Sequence, residues 1–306
     1  MDKYQAFEKL KEYSKNLTEI SYEEIYDLLK NGIRFIPLPI AKLWKNAYID
    51  RVRPNKGTIL FKHIDDLGYI KDKNVINNVL TSFGRANTPH QVMFYGALKT
   101  ELIDKPRFTA IAETSHIFRN PGTDCLEGEH YTVSRWETQK ELFVVEVVFS
   151  EYALKNNPDI AKSFQNQIKF LQEHNLEPQE IAFHLDFLKF ISEEFSKRVS
   201  DPEEYKISAA YTNLALLHPD VSGITYPSVQ TDYFGVNIVL TPEVVETYIT
   251  PKICSTQILY KKGMKSLIAN GKHYCKEIDA NTDIEWKEHG LEILTTKEQV
   301  IEHLKE

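Results

Sequence analysis

The chain of 306 residues is poor in cysteine, and its three cysteines, Cys125, Cys254 and Cys275, are too few and too odd in number for a disulfide framework. No apolar run approaches the length of about 18 residues that a transmembrane helix needs. The first residues also lack the apolar core of a signal peptide. These absences predict a protein of the reducing cytoplasm with no membrane partner.

Positive charge is also in short supply. Lysine and arginine number 37 against 44 aspartates and glutamates, which gives a formal net charge of −7. A general nucleic-acid binder presents a basic face, so the charge predicts no nucleic-acid partner and leaves room only for a local basic pocket. The chain also lacks the glycine-rich loops of P-loop and Rossmann folds and the Gly-x-Ser-x-Gly turn of one class of hydrolases.

Residue types that bind metals do not gather at the spacing of a metal site. His273 and Cys275 form one His-x-Cys pair, whereas a zinc site needs a second close pair of ligands. Glu127, Glu129 and His130 fit a solvated acidic turn better than a cation site. The sequence therefore predicts no metal.

Hydrophobic periodicity predicts helices at the start of the chain. Apolar residues recur at three-residue steps from Tyr4, and a Ser-x-x-Glu capping box at Ser21 begins a second helix. A further short helix is predicted to run towards Lys45. Residues 1–45 are therefore predicted to form an N-terminal helical extension.

The rest of the chain mixes strand and helix patterns. Strands are predicted at 48–53, 58–61, 91–95, 131–136, 142–149, 223–226 and 235–240. Residues 151–206 have helical spacing and form a helical insertion within a main domain of residues 46–241. Residues 242–306 are predicted to be a C-terminal α/β segment packed on the same domain, with a helix near 297–304. The predicted fold class is α+β.

One arginine, one tyrosine, one glutamate and one serine follow each other among glycines and alanines. The stretches that carry them are Gly84-Arg85-Ala86-Asn87, Tyr95-Gly96-Ala97, Thr109-Ala110-Ile111-Ala112-Glu113, Gly223-Ile224-Thr225-Tyr226-Pro227-Ser228 and Gly235-Val236-Asn237. Taken singly, such residues are usually surface ion pairs, core aromatics, solvated helix positions or turns. Their order resembles that of the RES-domain family, over roughly residues 48–150 and 207–241.

The RES family, named for its arginine, glutamate and serine, includes toxins of bacterial toxin–antitoxin pairs. These toxins degrade NAD by hydrolysis or phosphorolysis on a fold similar to ADP-ribosyltransferases. The resemblance implies a RES-like mixed β core, NAD as the substrate, inorganic phosphate as a candidate co-substrate and an antitoxin as a candidate partner. The residues that match the family's functional positions are Arg85, Tyr95, Glu113 and Ser228, with Arg51 or Arg53 as the arginine that opens the domain.

The chemistry of NAD cleavage suits these residue types. Nicotinamide is cationic in NAD and leaves as a neutral molecule, so no general acid is needed at that side. A carboxylate beside the ribose, here Glu113, stabilises the oxocarbenium-like transition state. The planar charge of Arg85 and of the earlier arginines suits the pyrophosphate. Tyr95 is expected to stack on a ring or line the nicotinamide pocket, and Ser228 to contact ribose or phosphate, while the nucleophile is either water or phosphate.

The chain also departs from the family pattern. Ala86 stands where a tryptophan often follows the arginine, and residues 99–108 resemble an insertion before the glutamate. The helical blocks 1–45 and 151–206 leave three roles open: covering the pocket, forming a homodimer interface, or replacing an inhibitory partner. Two other functions fit the same residues, namely ADP-ribose transfer to a macromolecule and nucleotide or partner binding without catalysis.

Overall fold

The computed structural model describes residues 1–120, 122–173, 176–278, 283–291, 293–294 and 296–305. These residues form a mixed α+β structure built on a ten-stranded sheet, which confirms the predicted fold class. Strands from all three predicted segments, 1–45, 46–241 and 242–306, join this one sheet.

The sheet is mixed in strand direction. Its strands are β1 (Ile40–Leu43), β2 (Tyr48–Pro54), β3 (Phe94–Leu98), β4 (Cys125–Thr138), β5 (Leu142–Glu146), β6 (Val221–Pro227), β7 (Val236–Leu240), β8 (Ile249–Lys262), β9 (Lys265–Cys275) and β10 (Lys287–Glu288). Their spatial order is β1-β5-β6-β7-β3-β2-β4-β8-β9-β10. Among the described strands β5 and β6 pair in parallel and the other neighbours pair antiparallel. The long insertion between β5 and β6 supplies the crossover that a parallel pair requires.

Helices connect and cover the strands. They are α1 (Lys3–Tyr13), α2 (Tyr22–Asp27, continued by a π-helical turn over Leu28–Ile33), α3 (Lys73–Asn78), α4 (Arg107–Thr114), α5 (His116–Arg119), α6 (Glu151–Asn156), α7 (Pro158–Glu173), α8 (Pro178–Ser196), α9 (Lys206–Ala215), α10 (Pro242–Tyr248) and α11 (Lys297–His303). Short 3₁₀ turns lie at Leu17–Glu19, Ile64–Leu67, Pro202–Tyr205 and Val229–Thr231. Helices are confirmed in the regions 1–45 and 151–206 and near the C-terminus.

Both faces of the central sheet are buried. Val239 of β7 enters one hydrophobic cluster, whereas its neighbours Ile238 and Leu240 enter another, as alternation along a strand requires. The first cluster joins the N-terminal helices to the helical insertion, where the ring of Phe7 lies 5.7 Å from Phe183, centroid to centroid. The extension and the insertion therefore pack together over one face of the sheet.

Two local predictions are wrong. The stretch after Pro39 is not a helix but the edge strand β1, paired antiparallel with β5. Residues 58–61 form a loop rather than a strand, because both sides of β2 are taken by β3 and β4 and the chain that leaves β2 cannot pair back onto it. Short apolar stretches fit more than one structure, and the availability of a partner strand decides between them. The strand predicted at 91–95 is also displaced, to Phe94–Leu98.

Glu146, at the end of β5, is a half-buried carboxylate without a basic partner among the described residues. It accepts hydrogen bonds from Ser163 at 3.0 Å and Gln167 at 3.3 Å, and burial raises its pKa. A carboxyl group whose pKa is higher in the folded state than in the unfolded state favours folding when it is protonated. Ionisation of Glu146 therefore lowers the free energy of unfolding once the pH rises above the ordinary glutamate pKa of about 4.3.

We therefore expect Glu146→Gln to raise the melting temperature at neutral pH, with the gain disappearing as the pH falls below about 4. Thermal unfolding followed by circular dichroism across this pH range checks the prediction. The exposed Glu302, on α11, supplies a matched control, since Glu302→Gln should give no comparable pH-dependent gain. An equal gain for Glu146→Gln at all pH values would contradict the assignment.

Candidate functional site

The sheet opens between β2 and β3. Their pairing ends at Asp50 and Ala97, although β2 stays paired with β4 as far as Pro54 and β3 stays paired with β7 as far as Phe94. A cavity of about 330 Å³ lies where the two strands part. This volume is at the lower end of the range that small-molecule sites occupy.

The structure brings three of the four predicted catalytic residues to this cavity. Arg85 comes from the turn at residues 84–87, Tyr95 from β3 and Glu113 from the last turn of α4. Arg51 of β2 joins them in the wall. The remaining polar wall residues that sequence reasoning did not assign to the site are Asn87, Thr114, Arg119, Tyr205, Tyr226 and Asn237.

The Glu113 carboxylate is held through one of its two oxygens. The hydroxyl of Ser228 donates a hydrogen bond to Oε1 at 2.6 Å, and the amide of Asn237 donates to the same atom at 2.9 Å. No described residue donates to Oε2, so this oxygen is free to bind a ligand. The two hydrogen bonds fix the direction in which the carboxylate points.

Ser228 has a different place from the one that the sequence suggested. It is 0% exposed and lies behind Glu113 rather than in the cavity wall. Its hydroxyl is occupied by the bond to Glu113, so we assign it to positioning the carboxylate and not to contact with ribose or phosphate. The motif residue is therefore part of the site, although it acts through its neighbour.

Close packing of α4 against the start of β7 makes the Glu113 contacts possible. Thr109 lies one helical turn before Glu113 and faces Gly235. A Cβ atom at Gly235 would lie 2.2 Å from the Thr109 hydroxyl oxygen, far inside van der Waals contact. The first N–H of α4, on Arg107, donates to the buried carboxylate of Asp50 at 3.1 Å. Both features hold α4 tightly on the sheet.

Arg85 lies in a tight turn, and hydrogen bonds with Tyr95 stabilise this turn. The N–H of Gly84 donates to the carbonyl of Asn87 at 2.9 Å, and a Cβ at Gly84 would lie 2.4 Å from Asn87 Oδ1. The Tyr95 hydroxyl donates to Asn87 Oδ1 at 2.6 Å and accepts from the N–H of Ala86 at 3.2 Å. Burial raises the pKa of Tyr95, which therefore stays a neutral phenol.

The helical insertion closes the site over Arg85. The guanidinium donates to the carbonyl oxygens of Phe195 and Lys197, the latter at 2.9 Å, where α8 ends. Its central carbon lies 5.0 Å from the ring centroid of Tyr205, in the 3₁₀ turn that precedes α9. The side chain is thus buried between two backbone carbonyls and an aromatic ring.

Arg51 is likewise paired with neutral groups. It donates to the carbonyl oxygens of Gly68 at 3.1 Å and Tyr95 at 2.5 Å. Burial, together with the charge of Arg53, lowers the pKa of Arg51 to about 9, so it stays charged at neutral pH. Arg53 itself does not line the cavity, and its buried Nε has no partner in the described structure.

The cavity consequently has an excess of positive charge. Arg51 and Arg85 lie in its wall, and the exposed Arg119 lies at its edge. None of these three arginines forms an ion pair with an acid among the described residues, and Glu113 is the single carboxylate in the described wall. Guanidinium groups without counter-ions favour an anionic ligand, especially a phosphate or pyrophosphate.

The residues that sequence reasoning missed differ in how much signal they carried. Asn237 and Tyr226 lie within quoted motifs, in Gly235-Val236-Asn237 and next to Pro227-Ser228 respectively. Tyr205 and Arg119 lie outside every motif and reach the cavity only because the chain folds back on itself. In the structure these two residues are neighbours, since Tyr226 and Asn237 are directly paired across β6 and β7.

Comparison with known proteins found no family model and no curated protein that matches the chain. Within the described residues, no helix is long and apolar enough to cross a membrane. The same residues contain no group of three or more histidine, cysteine, aspartate or glutamate side chains arranged to hold a metal ion. The function is therefore inferred from the geometry of the cavity.

Proposed function

We propose that the chain is a RES-type enzyme that degrades NAD by cleaving the bond between nicotinamide and ribose. The observation that carries this proposal is the Glu113 carboxylate, which Ser228 and Asn237 hold through one oxygen. Among the described residues nothing donates to its other oxygen, and the arginines of the cavity form no ion pair with an acid. The opening of the sheet between β2 and β3 supports a RES-like, ADP-ribosyltransferase-like core.

The free oxygen of Glu113 suits the charge that develops during cleavage. When the glycosidic bond breaks, its electron pair moves to the nicotinamide nitrogen and the ribose becomes oxocarbenium-like. A fixed carboxylate stabilises this positive charge without reorganising, because Ser228 and Asn237 already hold it in place. An oxygen of water or phosphate then bonds to the ribose carbon. With water the products are nicotinamide, ADP-ribose and a proton.

The arginines suit the other half of the substrate. The pyrophosphate of NAD carries two negative charges. The guanidinium groups of Arg51, Arg85 and Arg119 line the same cavity and can bind these charges. The hydrogen bonds of Arg51 and Arg85 to backbone carbonyls restrict their side chains before substrate arrives. Such preorganisation lowers the entropic cost of binding.

The direct test is nicotinamide release from NAD by the purified full-length chain, with and without inorganic phosphate. We expect release, with ADP-ribose as the product if water attacks and ADP-ribose-1″-phosphate if phosphate attacks. Radiolabel from the adenylate portion of NAD should remain in these small molecules, because appearance on protein or nucleic acid would indicate an ADP-ribosyltransferase. Binding of NAD in calorimetry without any release would instead indicate a non-catalytic module.

The RES resemblance also leads us to propose a cellular role, as the toxin of a toxin–antitoxin pair. A toxin that consumes NAD would deplete it in a bacterial cytoplasm unless an antitoxin bound and inhibited it. The extension 1–45 and the insertion 151–206 form part of the same hydrophobic cluster, and the end of α8 contacts Arg85. We therefore propose that these helical blocks cover and complete the pocket.

A further inference from the structure

Two tyrosine hydroxyls in the cavity wall have no protein partner. Tyr226 of β6 is 4% exposed, yet its hydroxyl forms no hydrogen bond with any described residue. The hydroxyl of Tyr205 is also unpaired within the described structure. By contrast, the hydroxyls of Tyr95 and Tyr211 donate hydrogen bonds to Asn87 and to the carbonyl of Pro37. Neither hydroxyl is among the buried side-chain atoms that lack a partner, so both are accessible in the cavity and available to hydrogen-bond a ligand.

The backbone around Tyr205 is firmly held. Asp201 and Glu204 form a capping box at the 3₁₀ turn that carries it. The next residue, Lys206, is buried, and its ammonium group donates to the carbonyls of Leu17 at 3.0 Å and Ile20 at 2.7 Å. Because stacking on Arg85 also restrains the ring, Tyr205 forms a fixed wall rather than a mobile loop residue.

Both phenols line the same cavity as Glu113. The charges of Glu113 and Arg85 act on each of the two tyrosines. Burial raises the pKa of Tyr226 and of Tyr205, so both remain neutral at working pH. A neutral phenol both donates and accepts hydrogen bonds, which suits an uncharged hydroxyl, whereas the arginines of the same cavity suit phosphate oxygens.

We propose that Tyr226 and Tyr205, with the free oxygen of Glu113, hold the hydroxyl groups of the ribose whose glycosidic bond is cleaved. We call these three residues the ribose clamp. The inference rests on the proposed function and names the substrate group recognised beside Glu113. It also gives the helical insertion a direct part in substrate binding, since the insertion ends at the turn that carries Tyr205.

The test compares Tyr226→Phe and Tyr205→Phe with the wild type on NAD and on NAD analogues that lack the 2′- or the 3′-hydroxyl of the nicotinamide ribose. We expect each variant to lower kcat/KM for NAD by about tenfold or more, because a hydrogen bond is lost without a change in shape. Each variant should lose less than about threefold on the analogue that lacks its hydroxyl partner, since that bond is already absent. Circular dichroism melts check that both variants fold.

Tyr152→Phe serves as the matched control. Tyr152 is 69% exposed and stacks on Tyr233 outside the cavity, so its substitution should leave kcat/KM unchanged on every substrate. Equal losses on NAD and both analogues, or no loss on NAD, would overturn the ribose clamp while leaving a Glu113-dependent wild-type activity intact. Equal nicotinamide release by the wild type and Glu113→Gln would instead refute the proposed function, and the clamp with it.

Discussion

Replacement of Glu113 by glutamine should lower kcat for nicotinamide release by about 10²–10³-fold, the usual loss when one preorganised electrostatic group is removed from a transition state. Glutamine retains an oxygen that accepts from Ser228 and Asn237, so the side chain stays in place. The negative charge is lost, so the proposed oxocarbenium-like transition state should lose the stabilisation that the carboxylate provides. KM should change much less than kcat, because the charge matters most when the ribose becomes cationic.

Steady-state kinetics of nicotinamide release, followed chromatographically, measure this effect. Glu302→Gln makes the same chemical change on an exposed surface and should keep wild-type kinetics. Melting temperatures should agree for wild type and Glu113→Gln, which would attribute the loss to chemistry rather than folding. A Glu113→Gln variant with more than about a tenth of wild-type kcat would show that the carboxylate does not stabilise the transition state.

Replacement of Arg85 by lysine should lower kcat/KM for NAD by about 10²-fold although the charge is kept. The guanidinium reaches the carbonyls of Phe195 and Lys197 together and stacks on Tyr205. A lysine ammonium cannot reproduce this planar, forked arrangement, so at least one of the two carbonyls loses its hydrogen-bond partner. Tyr205 also loses the stacking contact that restrains its ring. The unpaired carbonyl should lower the free energy of unfolding by about 1–3 kcal/mol.

Arg198→Lys separates this effect from a general preference for arginine. Arg198 follows Lys197 in the chain, but it is 72% exposed and pairs with the exposed Asp232 at 3.4 Å. Exposed ion pairs contribute little, so both kinetics and stability should stay near wild type. Urea unfolding and NAD kinetics on the two variants give the comparison. An Arg85→Lys variant with the same kcat/KM and unfolding free energy as Arg198→Lys would contradict the proposed role of the guanidinium.

Much of the secondary structure was predictable because its signals are local. The capping box at Ser21 sets the start of α2 with two hydrogen bonds inside four residues, and helical spacing in 151–206 identifies the insertion. The edge strand Ile40–Leu43 was not predictable in this way. Ala41, Lys42 and Leu43 favour a helix by local propensity, but pairing with the edge of β5, a hundred residues later, determines their conformation.

By itself, the sequence determined the α+β class, the helical blocks and the choice of Arg85, Tyr95, Glu113 and Ser228, because motif order and periodicity are properties of the chain alone. Tertiary structure decided where each residue lies and what it contacts. Ser228 is a support for Glu113, since the β6–β7 region and α4 meet behind the cavity. Tyr205 belongs to the site because α8 and α9 fold back over Arg85. Distances between residues more than a hundred positions apart depend on packing, which no local pattern specifies.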